Sequence, residues 1–273
     1  MQEFRQEFTL REKYGLKYLT IPSFEEAGGV VCAFSTRVGG VSPAPYDTLN
    51  FSKKREQSPE NFLENLKRFG EAAGFDYKKA VSINYAHSAL LYKASKSDSG
   101  CGITRDCVPE VCDGLYTDET QLPLISFHAD CVPLFFYDPV KRCAAVCHAG
   151  WRGVVSHMAA NAVRALMSLG SNAGDILAAV GPCIGPERYE VGKDVSDLFL
   201  REFGKDAIET RGGRTHLRLA RACVLDMLSA GIRAGNITES GLCTYDGAEL
   251  FFSHRRDNGR TGSMAAVIML TDD

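Results

Sequence analysis

The chain has 273 residues, 45% hydrophobic and 24% charged, which is ordinary globular usage and excludes disorder and collagen-like repeats. Thirty-one Lys plus Arg against thirty-four Asp plus Glu leave a net charge of −3, without the basic excess of a nucleic-acid binder. Ten cysteines are too few for a disulfide scaffold, no apolar h-region opens the chain, and no apolar run approaches the ~18 residues of a membrane span. The expectation is a cytoplasmic protein with reduced thiols and neither a nucleic-acid nor a membrane partner.

Residues 30–36 read as a strand that ends in the loop Arg37-Val38-Gly39-Gly40. Ser58 and Pro59 open a helix as N-cap and N1; Phe62, Leu66, Phe69 and Ala73 form its apolar face and Gly74 stops it. Residues 80–87 read as a strand, and 93–112 as a polar, irregular loop. Three short runs follow, 122–129, 132–138 and 143–149, apolar on both faces and so covered by helices or a second sheet. A helix over 154–169 ends at Gly170, and a strand over 176–180 leads into Gly181-Pro182-Cys183-Ile184-Gly185-Pro186. Helices over 193–203 and 217–229 and strands over 241–245 and 264–270 close the chain. With no linker and no repeat, the pattern predicts one domain over 1–273: mixed α/β of the α+β type, mixed β-sheets flanked by helices.

The common catalytic and metal motifs are absent: no CxxC, HExxH, GxSxG, Walker loop or GxGxxG, and no H-x-E with P-C-x-x-C. Two constellations stand out. Asp130-Cys131 lies between two buried-looking strands, and His148-Ala149-Gly150-Trp151-Arg152-Gly153 ends a strand and opens a helix. If these strands pair as a hairpin, Cys131 and His148 meet at one end of a sheet. The small residues would let an anion approach N–H groups at the helix start. Read alone, Cys131 is as readily a small buried hydrophobe, and His148 a structural strand end. Cys143 and Cys147 share a face, so Cys147 points into the core if His148 faces a cleft. Arg37 is either an anion ligand or a solvated loop residue, and Arg255-Arg256-Asp257 either a phosphate clamp or a surface ion pair. Cys101, Cys107 and Cys112 fit no common zinc spacing.

FSTRVGGVS with DTLNFS, HADCVPLFFYDP, AAVCHAGWRG, AVGPCIGPERYEVG and FFSHRRD occur in that order. Together they resemble the YfiH family, formerly called multicopper polyphenol oxidase or laccase-domain proteins, over residues 30–270. The resemblance implies a CNF1/YfiH-like fold and a zinc-linked purine nucleoside phosphorylase acting on adenosine, inosine or methylthioadenosine, with adenosine deaminase activity. It implies His87, Cys131 and His148 as catalytic metal ligands. Three ligands leave zinc an open position for water, whose pKa falls near 7 and which could attack C6 of adenosine. Phosphorolysis needs instead an anion pocket, with Arg37, Asn50 and Arg152 as the candidates. This chain departs from the family pattern at Tyr85 (usually Gln), Ser88 (usually Gly) and Leu66 (usually Arg), and its loop over 93–112 is longer and richer in Cys.

Three other readings compete. A cysteine hydrolase or deamidase would use Cys131 as nucleophile and His148 as base, with the thiolate free of metal. A copper polyphenol oxidase would need more ligands than six His supply and an axial Met. A non-catalytic binding module, a role suggested by family members linked to cell-wall-precursor editing, would turn over no nucleoside.

Overall fold

The computed structural model describes residues 5–6, 8–55, 58–82, 85–106 and 111–272. Among these, one sheet of seven strands runs β1 (Arg5–Gln6), β14 (Ile237–Glu239), β11 (Leu177–Val180), β9 (Val132–Asp138), β10 (Cys143–Ala149), β7 (Gly114–Thr117) and β6 (Leu91–Lys93). A second, six-stranded sheet runs β2 (Thr9–Lys13), β3 (Leu16–Thr20), β4 (Val30–Ser35), β15 (Met264–Leu270), β8 (Leu124–His128) and β5 (Val81–Ser82). A separate hairpin joins β12 (Ile208–Arg211) to β13 (Arg214–Leu217). The helices are α1 (Pro22–Ala27), α2 (Pro59–Ala73), α3 (Trp151–Val155), α4 (Met158–Ser168), α5 (Lys193–Phe203) and α6 (Leu219–Ser229).

The period of two in the central strands explains the layering. On β10, Cys143, Ala145, Cys147 and Ala149 pack with Val163 of α4 and Ala222 of α6, while Ala144 and Val146 face the second sheet. On β15, Met264, Ala266 and Ile268 meet the first sheet, while Ala265 and Val267 pack on Leu66 and Phe69 of α2. The result is four layers: helices, sheet, sheet, helix. Both faces of each central strand are covered, which is why 132–138 and 143–149 read as continuous apolar runs. The mixed α/β class is as the sequence predicts.

Pro59 at N1 and Gly74, left-handed at φ 90°, bound α2 where the sequence puts its ends, although the Ser58 side chain turns to Glu60 instead of capping the helix. Leu66, which stands where the family usually has Arg, is fully buried.

Several elements differ from expectation. In place of a strand over 80–87 only Val81–Ser82 pairs; 83–84 lie outside the described residues, and 85–88 form a loop held by side-chain hydrogen bonds. The helix over 154–169 is two helices, broken where His157 turns left-handed at φ 60° and bonds Asp226. The strand beside β11 is Ile237–Glu239, not 241–245, which is a turn with one bridge at Cys243; Ser240 and Gly241 end the ladder there. The reduced-thiol expectation fails at Cys101, which is disulfide-bonded. Cys107 lies outside the described residues.

Candidate metal centre

The hairpin of β9 and β10 sets Ala149 opposite Val132 and His148 opposite Pro133, so the end of β10 lies beside the start of β9. Cys131 precedes β9 by one residue. His148, on the strand face opposite Cys147, points between the two sheets. His87 comes from the loop after β5, with φ 54°. The ligating atoms of His87, Cys131 and His148 all lie within 4.8 Å of one another. His148 is buried, Cys131 half-buried and His87 exposed, so the cluster has a closed side and an open side.

Asp113 organises the group. It is fully buried just ahead of β7. Its carboxylate accepts from the N–H groups of Ala86 (3.2 Å), His87 (3.1 Å) and Ser88 (2.7 Å), and from Ser88 Oγ at 2.8 Å. It also accepts from His148 Nδ1 at 3.1 Å. One carboxylate thus fixes both the loop that carries His87 and the ring of His148. With Nδ1–H committed, Nε2 of His148 is left to bind a metal. Ser88 gives Asp113 a hydroxyl donor that Gly lacks. Tyr85 lies edge-on to His148, ring centroids 4.8 Å apart, and its hydroxyl accepts from the Phe127 N–H.

His128, at the end of β8, backs the site from the second sheet: its ring centre is 5.3 Å from that of His148, and its Nε2 pairs with Ser126 Oγ at 2.8 Å. Asp130, at φ 83°, sets the direction of Cys131; its carboxylate accepts from Thr244 Oγ1 and the Arg255 N–H, both at 2.6 Å. Gly150 keeps the site open: a Cβ there would lie 3.2 Å from His87 Cδ2 and 3.3 Å from Cys131 Sγ. At Gly153 a Cβ would meet Ser88 O at 2.9 Å.

The electrostatics pair a Cys131 thiolate with a His148 imidazolium, which would give up its Nε2 proton on binding a metal. Burial pushes the Cys131 thiol up, but the charge of His148 and hydrogen bonds from both histidines bring it down to about 6. Burial pushes His148 down, but the Cys131 thiolate and the Asp113 hydrogen bond raise it to about 9. Burial opposes ionisation of Asp113 too, yet bonds from His148 and Ser88 bring it down to about 2. His128 is held well below the usual histidine value, first by burial and then by the His148 charge, so it stays neutral. By contrast, burial raises Cys147, which points into the helix-side core.

The other candidates are arranged differently. Arg152 stacks on Trp151, 4.3 Å from the ring centre, and among the described residues its guanidinium has no hydrogen bond or ion pair. Arg37 donates to the carbonyls of Asp47 (2.9 Å) and Ala248 (3.3 Å), pairs with the Asp47 carboxylate at 3.6 Å and lies over Phe252. Asn50 is fully buried, its amide oxygen accepting from the Ser52 and Ser263 N–H groups at 2.9 and 3.0 Å. Arg256 pairs with Asp257 and donates to three backbone carbonyls, the bonding of a turn anchor. Asp113, His128 and the orienting role of Asp130 escape a reading of spacing. The one signal for Asp113 is a carboxylate immediately ahead of the apolar run Gly-Leu-Tyr.

The fold and the cluster describe a two-sheet α/β protein with a candidate metal centre at one end of the sheets. The family described as multi-copper polyphenol oxidoreductase laccase matches residues 31–271, and the chain belongs to it. The chain is 34% identical over 244 residues to the purine nucleoside phosphorylase YlmD of Bacillus subtilis, covering 88% of each. It is 36% identical over 256 residues to a purine nucleoside phosphorylase of Deinococcus radiodurans, covering 94% of each. The crystal structure of the Bacillus licheniformis hypothetical protein YfiH matches with a TM-score of 0.89 at 33% identity, over 96% of this chain and 99% of that one.

Proposed function

We propose that this chain is a zinc-linked purine nucleoside phosphorylase with adenosine deaminase activity. The observation that carries this reading is the convergence of His87, Cys131 and His148, with His87 on the open side, in a chain similar along most of its length to proteins named purine nucleoside phosphorylase. Two imidazole nitrogens and a thiolate within 4.8 Å of one another suit the three-ligand catalytic zinc site, whose ~2.0–2.3 Å bonds need donors this close. His87, Cys131 and His148 would hold the ion, and Asp113 would orient two of them. Bound there, zinc supplies Lewis acidity at the open position. Copper is less suited, because a blue-copper centre adds a weak axial Met to the same three ligands.

The reaction is nucleoside plus phosphate giving purine base and ribose 1-phosphate. In this reading the unpaired guanidinium of Arg152 binds phosphate, since burying that dianion without a partner would cost too much. Arg37 and Asn50 contribute by holding the loops between β4 and α2, with substrate contact limited by the protein partners they already have. Deamination releases ammonia from adenosine and needs water but no phosphate, so it does not depend on Arg152. The same reading puts the protein in the cytoplasm with its substrates; no described helix is long and apolar enough to cross a membrane.

One observation favours a second reading, a cysteine hydrolase. In the metal-free site Cys131 is a thiolate beside a protonated His148, the pairing of an activated nucleophile. Purified protein incubated with adenosine, inosine and methylthioadenosine, with and without phosphate, tests both. Phosphate-dependent release of base with ribose 1-phosphate, lost on chelation, is the expected result. Base release without phosphate, or turnover that survives metal removal, would overturn the first reading.

A further inference from the structure

A cleft of about 680 Å³ opens beyond the carboxyl ends of the parallel strands β11 and β14, against the first turn of α6, and plays no part in the site above. Open α/β sheets characteristically bind ligands at such a position. Cys183 and Cys243 line it, with Glu239, Asp206, Arg218 and Arg221. The two cysteines are direct partners in a parallel bridge: the Cys183 N–H donates to Leu242 O at 3.3 Å, and the Thr244 N–H donates to Cys183 O at 3.0 Å. Paired strands lie ~4.7–4.9 Å apart. That spacing is inside the ~4.4–6.8 Å Cα window of a disulfide, and directly paired residues present their side chains on one face. Cys243 is half-buried at the cleft, its sulfur accepting from the Gly185 N–H at 3.2 Å, whereas Cys183 is only 5% exposed.

We propose that Cys183 and Cys243 form a redox-active dithiol, oxidised by a small zwitterionic disulfide of the amino-acid-derived class that enters this cleft. Arg218 would meet a carboxylate of such a reagent and Glu239 an ammonium group, while Asp206 and Arg221, paired with each other at 3.5 Å, form the charged rim. Cys243 gives up its proton and its sulfur attacks one sulfur of the reagent, breaking the reagent's S–S bond to form a mixed disulfide and expel one small thiolate. Cys183 then loses its proton, and its sulfur attacks Cys243 Sγ and expels the second. Two protein thiols are oxidised, one external disulfide is reduced to two thiols, and the two protons end on those thiols.

The pair is also wired to the metal centre. The residue after each cysteine supports Asp130: the Ile184 N–H donates to its carbonyl at 3.0 Å, and Thr244 Oγ1 donates to its carboxylate at 2.6 Å. Asp130 in turn precedes Cys131. Both supports of the residue before Cys131 are therefore chain neighbours of the dithiol.

The test treats the zinc-loaded protein with glutathione disulfide and maps the cysteines by mass spectrometry. The expected product is a peptide pair joined through Cys183 and Cys243 and released by dithiothreitol. C183S should stop at a glutathione adduct on Cys243, and C243S should leave Cys183 unmodified. The wild-type map needs no variant to fold, and none of these readouts depends on nucleoside turnover. Absence of the joined pair in the wild type, or glutathione on Cys183 in C243S, would overturn the proposal.

Discussion

Asp113 accepts a hydrogen bond from His148 Nδ1 at 3.1 Å while its other contacts hold the backbone of His87 and Ser88. Carboxylates in this position set the tautomer of a ligating histidine, and their loss typically costs ~10–100-fold in metal affinity. D113N should weaken zinc binding by about that factor, measured by competition with a chromogenic chelator. Unchanged affinity would mean that His148 is oriented by Tyr85 and His128 alone.

Cys131 and Cys147 should separate cleanly. C131A removes the only sulfur of the cluster and should abolish both bound metal and activity. C147A leaves the site alone and deletes a buried sulfur, costing about 1–2 kcal/mol in a denaturant titration. Equal loss of activity from the two, at matched folding, would show that the wrong thiol has been assigned.

Gly150 is a steric requirement that can be checked with one methyl group. G150A puts a Cβ 3.2 Å from His87 Cδ2 and 3.3 Å from Cys131 Sγ, so metal content and kcat/KM should both fall. G235A is the matched control, since a Cβ there meets nothing within 4 Å. A fully active G150A would place the reacting groups elsewhere.

Arg152 and Arg37 make opposite predictions. R152A should raise the phosphate concentration for half-maximal phosphorolysis about tenfold or more, equivalent to the ~1.4 kcal/mol or more that one charge-assisted hydrogen bond supplies. Zinc content and phosphate-independent deamination should be nearly unchanged. R37A should lower thermal stability more than phosphate affinity, because its guanidinium is bonded to Asp47 and Ala248. A purely phosphate-specific defect in R37A would restore Arg37 to the pocket.

In metal-stripped protein the pH dependence of alkylation reports the site directly. The thiolate is the reactive form. With Cys131 brought down to about 6 by His148 and His87, its rate with iodoacetamide should be nearly flat above pH 7 and fall as pH drops through 6. An ordinary thiol keeps rising up to its value of 9.0. Zinc loading should suppress the reaction, and peptide mapping identifies the alkylated residue.

Much of this protein is written in local chemistry. Pro59 and Gly74 bound α2 because proline suits a first helical turn and glycine accepts φ 90°. The runs 132–138 and 143–149 are strands with those limits because period-two burial on both faces leaves no amphipathic alternative. The motifs around Cys131 and His148 carry the family and two of the three candidate metal ligands. What only the tertiary structure decides is who supports them. A buried carboxylate such as Asp113 is invisible to periodicity, because its partners at 86–88 and 148 are distant along the chain. The helix over 154–169 breaks at His157, whose left-handed backbone accompanies a hydrogen bond to Asp226 of α6, a residue 69 positions away. Likewise the sequence does not show that the Arg37 guanidinium meets the carbonyls of Asp47 and Ala248, whereas that of Arg152, among the described residues, has only the Trp151 ring.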